Sequence, residues 1–148
     1  GPLLSALPDR FLALHPGSGS PAKNWPPGRY ASLARARAGG RPWLLVEGPA
    51  DAEAARSLAG EAGAVRAHGL DARVLGALLA RAGLVVGNDS GVTHLAAACG
   101  APTLALFGPT DPLQWAPLGT RVEALRAPGG AMDTLSLEVV LEAATRLT

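Results

Sequence analysis

Short apolar runs alternate with stretches of helical periodicity along the whole chain, and loops rich in glycine and proline separate them. Residues 11–14 form the first apolar run. Residues 28–38 read as a helix with Tyr30, Leu33, Ala34 and Arg37 at helical spacing, stopped by Gly39-Gly40. Residues 43–46 are the next strand, after which Asp51 caps a helix predicted to bury Ala55, Leu58, Ala59 and Ala62 and to end at Gly63. A brief strand at 65–67 leads to a helix from about Asp71, with Val74, Leu75, Leu78 and Leu79 on one face. Three more strands follow at 84–86, 103–107 and 122–125. An Ala-rich helix, 95–99 closed by Gly100, lies between the first two of these. A last amphipathic helix runs from near Ser136 to Leu147, with Leu137, Val140, Leu141 and Ala144 inward.

Six strands interleaved with helices predict an α/β fold, a doubly wound six-stranded parallel sheet. A parallel sheet covered on both faces also explains why the strands are solid apolar runs rather than alternating ones. Ligands of such sheets bind beyond the carboxyl ends of the strands, and every unusual polar cluster of this sequence falls at such an end.

Composition narrows the picture. The 148 residues suit one domain, residues 1–148, and the net charge of +1 implies no general attraction to nucleic acid or anionic lipid. No apolar run reaches the roughly twenty residues of a transmembrane segment, and no signal segment opens the chain. The single cysteine, Cys99, excludes a disulfide framework and is expected to be a buried thiol in a reducing compartment. The expected location is therefore cytoplasmic, with a peripheral position at the inner face of a membrane left open. The first residue is Gly1 rather than Met, which fits a fragment or a processed piece.

Four clusters carry candidate chemistry. The segment Gly87-Asn88-Asp89-Ser90-Gly91-Val92-Thr93-His94 turns from strand to helix. The first amides of a helix have no partner within it, so this entry is an anion site in waiting. Asp89 can cap that helix or hold a ligand, and His94 faces the same mouth. In the loop from His15 to Pro26, Gly17 and Gly19 allow close backbone approach, while Ser18 and Ser20 offer hydroxyls. Lys23, the only lysine of the chain, offers a point charge to phosphate; the loop lacks the Gly-Lys-Ser/Thr ending of a Walker motif. His15 is expected to order this loop rather than react. Glu47-Gly48 ends the second strand, where a carboxylate either accepts from sugar hydroxyls or is simply solvated. The loop from Phe107 to Pro117 is rigid, and Asp111 and Trp115 are expected to pin it. The turn at Ser90 is not the G-x-S-x-G of a serine hydrolase, and His15, His68 and His94 lack metal-ligand spacing.

These clusters, in this order, resemble the carboxyl-terminal half of the ADP-heptose:lipopolysaccharide heptosyltransferases, glycosyltransferase family 9. The matching segments are His15-Pro16-Gly17 through Lys23-Asn24-Trp25-Pro26, then Asn88-Asp89-Ser90-Gly91 with His94 and the alanines after it, and Pro102 through Phe107 to Pro112. The resemblance implies a Rossmann-like half of a two-domain GT-B glycosyltransferase that binds a nucleotide-sugar donor without metal or cofactor. Carried over, Ser18 and Lys23 contact the donor phosphates, Glu47 the ribose and Leu70 the base. Asp89, Ser90, Gly91, Val92 and His94 hold the diphosphate and the sugar. Ser90 and Val92-Thr93 depart from the Thr and the Leu-Met usual in that family, which keeps a hydroxyl but alters the sugar pocket. The acceptor site and the general base belong to an amino-terminal half that this chain lacks, so no catalytic residue is assigned and the domain is expected to be inactive alone. The competing readings are a non-catalytic nucleotide-sugar-binding module acting with a partner chain, and a sugar-nucleotide epimerase of the same two-domain design; the Lys-x-Trp-Pro loop speaks against the latter.

Overall fold

A computed structural model describes residues 2–48 and 52–148, with the backbone alone at 114 and 115. A short helix α1 (Pro2–Ser5) precedes strand β1 (Leu12–His15), after which come α2 (Pro27–Ala38), β2 (Trp43–Glu47), α3 (Ala52–Arg56) and β3 (Ala64–His68). The second half contains α4 (Ala72–Leu79), β4 (Leu84–Asn88), α5 (Gly91–Ala98), β5 (Thr103–Phe107), α6 (Pro112–Trp115), β6 (Val122–Arg126) and α7 (Leu137–Leu147).

All pairings are parallel, and the strand order is β3-β2-β1-β4-β5-β6. The order reverses between β1 and β4, so the connections leaving those two strands diverge and open a crevice at their carboxyl ends. The register sets His15 beside Gly87 and brings the loop after β1 against the turn after β4.

Side chains alternate between two cores, as the pleat requires. Leu14, Leu45, Val86, Leu104 and Leu106 pack on α2 and α7 through Tyr30, Leu33, Val140 and Ala144. Ala13, Leu44, Val46 and Val85 pack on the other face with Leu78, Leu79 and Ala96 of α4 and α5. The four inner strands are buried throughout, whereas β3 and β6 are half-exposed because each has a neighbour on one side only.

Three expectations change. The third helix is one turn long, ending at Arg56 rather than Gly63; Leu58 is buried in the turns that follow, while Ala62 is exposed. The Asp51 cap lies outside the described residues. Val74 is half-exposed because the face of α4 that meets the sheet is set by Leu78 and Leu79. Cys99 follows the last turn of α5 and is exposed, since the buried stripe of that helix stops at Ala96 and Ala97. Asp71, Ser90 and Ser136 cap α4, α5 and α7 as side-chain acceptors, the arrangement that the first helical amides demand.

Gly87 sets how closely α5 docks on β4. A Cβ there would stand 2.4 Å from Thr93 Oγ1 and 3.5 Å from the Cβ of His15. Gly87→Ala is expected to destabilise the domain by about 1–3 kcal/mol through overpacking, read as a shift in the urea midpoint; an unchanged midpoint would show a looser contact than this one.

Candidate functional site

The crevice is assembled around the side chain of Asn88, which is fully buried at the last position of β4. Its Oδ1 accepts from the Trp25 amide at 3.0 Å and from the Tyr30 hydroxyl at 2.8 Å. Its Nδ2 donates toward the carbonyls of Pro16 at 2.9 Å and Gly17 at 3.1 Å. One amide therefore ties both ends of the loop after β1, and the start of α2, to β4. Trp25 anchors the far end of that loop. Its ring is buried edge-on against Tyr30, with centroids 5.0 Å apart, and its Nε1 donates to the Leu135 carbonyl at 2.7 Å. Burial pushes the Tyr30 phenol well above its ordinary pKa of 10.0, which keeps it a donor to Asn88.

Hydroxyls close the turn itself. Thr93, buried, donates from Oγ1 to the Asn88 carbonyl at 2.6 Å. Ser90 Oγ accepts from the Thr93 amide and lies 3.0 Å from His15 Nδ1. His15 thus orders the loop, as expected from the sequence. With the Thr93 amide taken by Ser90, the amides of Gly91 and Val92 remain as open donors at the positive tip of α5 among the described residues.

Lys23, Asp89 and His94 meet beside that tip. Lys23, at the end of a 3₁₀ turn, places Nζ 3.4 Å from Asp89 Oδ2, and His94 Nε2 lies 4.0 Å from Asp89 Oδ1. Asp89 is mostly buried, while Lys23 and His94 keep their heads accessible. The group presents a cation and two amides to an anion, and a carboxylate and an imidazole to hydroxyls.

Other candidates stand apart. Ser18 Oγ is 2.6 Å from Asn24 Oδ1 and 2.7 Å from the Ser20 carbonyl, and it accepts from the Ser20 amide, so its hydroxyl shapes the loop. Glu47, one strand away, is buried rather than solvated: Arg66 bonds to its Oε2 and His68 Nδ1 lies 3.7 Å from the same oxygen. Leu70, two strands away beyond β3, packs against the core shared by α4 and α5. Asp111 caps α6 through the Leu113 amide at 3.0 Å; the Trp115 side chain lies outside the described residues. No group of three His, Cys, Asp or Glu side chains among the described residues could hold a metal ion. Sequence reasoning passed over Asn88 as one polar residue of a turn, and Arg66 and Thr93 as unremarkable. The available signal was an amide residue ending an otherwise apolar strand, where only a side chain with both donor and acceptor can serve two loops.

A strand order that reverses at an anion-ready turn defines the class: a Rossmann-like α/β domain with its site at the carboxyl ends of β1 and β4. The chain belongs to glycosyltransferase family 9 (heptosyltransferase), whose family model matches residues 3–144. It is 34% identical over 122 residues to lipopolysaccharide heptosyltransferase 2 of Escherichia coli (strain K12), an alignment covering 72% of this chain and 33% of that protein. Among solved structures it superposes on E. coli heptosyltransferase WaaC with ADP at a TM-score of 0.82 and 27% identity, over 99% of this chain and 48% of the other. The match to WaaC with ADP-2-deoxy-2-fluoro heptose has a TM-score of 0.81 at 28% identity, over 99% and 47% of the two chains. The chain thus spans about a third of that curated relative and about half of those structures.

Replacing Asn88 strands the Trp25 amide and the Tyr30 hydroxyl in the core. Asn88→Ala is expected to destabilise the domain by about 3 kcal/mol or more, since each buried orphan costs roughly 1–3 kcal/mol; denaturant titration measures it. The raised Tyr30 pKa adds a second expectation. The folded state holds that proton more tightly, so the stability it contributes is complete below pH 10.0 and is lost as pH rises toward the folded-state value. Tyr30→Phe should flatten that alkaline loss in stability measured against pH.

Proposed function

We propose that this chain is the donor-binding half of a glycosyltransferase that moves heptose or a similar sugar from a nucleoside diphosphate in lipopolysaccharide or cell-surface glycan synthesis. The observation that carries the reading is the pairing of Lys23 with Asp89, two residues before the first open amide of α5, at the point where the strand order reverses. Support comes from family membership and from the superposition on relatives whose structures hold ADP and an ADP-sugar.

In this reading the diphosphate lies across the tip of α5. Lys23 leaves Asp89 for the phosphates, and the helix dipole adds to the same field. Ser18 shapes the loop over them and Ser90 holds the turn. Asp89 and His94 face the sugar, with Val92 beside them. Glu47, its Oε2 fixed by Arg66, accepts from the ribose, and Leu70 offers an apolar surface to the base. Transfer with inversion requires a base at the acceptor and positive groups at the departing diphosphate. These residues supply the second. The acceptor and the base are assigned to an amino-terminal half or a partner chain. With its one cysteine and no disulfide framework, the protein fits a reducing, cytoplasmic setting where it meets a membrane-borne acceptor peripherally.

Calorimetric titration with ADP, UDP and GDP tests the site. ADP is expected to bind, and Lys23→Ala to weaken it about tenfold, because losing the ammonium also leaves the Asp89 carboxylate facing the phosphates unpaired. Equal, undetectable binding of all three nucleotides would overturn the donor site. The 148 residues alone should show no sugar transfer, and turnover by them would refute the division of labour.

A further inference from the structure

We infer that the opposite end of the sheet carries a second anion site, one for a phosphate ester. A cavity of about 740 Å³ opens at the amino ends of β1 and β4, the far side of the sheet from Lys23. Its rim holds Arg10, Arg37, Arg41, Arg81 and Arg121, against a single acidic side chain, Asp9. This is a local excess of positive charge in a chain whose net charge is +1. None of the five arginines forms an ion pair among the described residues.

Helix ends account for part of this charge. Arg41 donates to the Ala38 carbonyl at the end of α2, and Arg121 to the Leu147 carbonyl at the end of α7, where cations are favoured. Arg37 donates to the Thr148 hydroxyl. The side chains of Arg10 and Arg81 make no hydrogen bond or ion pair among the described residues, so bonding to a helix carbonyl does not explain them. Arg10 is moreover the one non-glycine residue with positive φ there, 53°. A Cβ at Gly83 would stand 2.5 Å from the Arg10 carbonyl, and the Gly83 amide donates to Phe11 at 2.9 Å, so the backbone of Arg10 is clamped in place. An L residue held in that region is strained, since its Cβ crowds the following carbonyl oxygen.

Guanidinium forks match phosphate oxygens two at a time. The volume lies within the range of small-molecule pockets, roughly 300–1,000 Å³, so there is room for an ester rather than a bare ion. A soluble phosphate ester and a phospholipid headgroup share this chemistry.

The test uses the 148-residue chain carrying Lys23→Ala, which removes the cation at the other end. It is titrated calorimetrically with inorganic pyrophosphate, and sedimented with phosphatidylcholine vesicles that contain or lack phosphatidylglycerol. Binding of pyrophosphate supports a soluble ester, and binding of the anionic vesicles alone supports a headgroup. In either arm Arg10→Gly with Arg81→Ala, the glycine keeping the positive φ without strain, is expected to weaken binding roughly tenfold or more. Arg56→Ala with Arg73→Ala removes the same charge from exposed positions elsewhere and should leave binding within about twofold. Absence of binding in both arms, or equal weakening by the two double variants, overturns the site.

Discussion

The bonds made by the Asn88 side chain are the constraint on which the rest of the crevice depends. A buried primary amide has two donor hydrogens and a carbonyl with two lone pairs, and in a dry interior each must be met. Here the loop after β1 and the first turn of α2 meet them. The loop has no regular structure beyond one short turn, yet it cannot move without leaving buried polar groups unpaired. Lys23 and Asn24 ride on a segment fixed at Pro16-Gly17 before them and at Trp25 after them.

The fold was legible because parallel strands buried on both faces and capped amphipathic helices leave direct traces in sequence. All six strands fall where apolar runs predicted them, and Asp71, Ser90 and Ser136 cap the helices they introduce. Legibility failed where tertiary packing chose among equivalent local patterns. The alanines after β2 had helical spacing enough for three turns, but the buried stripe needed only Ala55 and then Leu58. Cys99 looked interior because its neighbours are alanines, and one further step around the helix carried it to the surface.

The site divided along the same line. Lys23, Asp89, Ser90 and His94 were readable as a group because strand order alone brings the ends of β1 and β4 together. What each side chain does was less readable. Ser18 and Ser90 were expected to offer their hydroxyls outward, and both are engaged within the loop and the turn. Glu47 is committed on one oxygen to Arg66, a partner two positions before its register mate His68 on the edge strand β3. Such pairings depend on which faces of two strands coincide, and that is settled by register rather than by composition.

The 3.4 Å contact between Lys23 and Asp89 has a kinetic meaning. An anion that takes the ammonium must displace a carboxylate already bound to it, so it gains only the difference between two ion pairs. The carboxylate stays within reach and recaptures the ammonium as the anion departs. A cation with such an internal counter-ion grips less tightly than a bare one, but it empties faster. Asp89 therefore sets the balance between grip and release at Lys23 before any anion arrives.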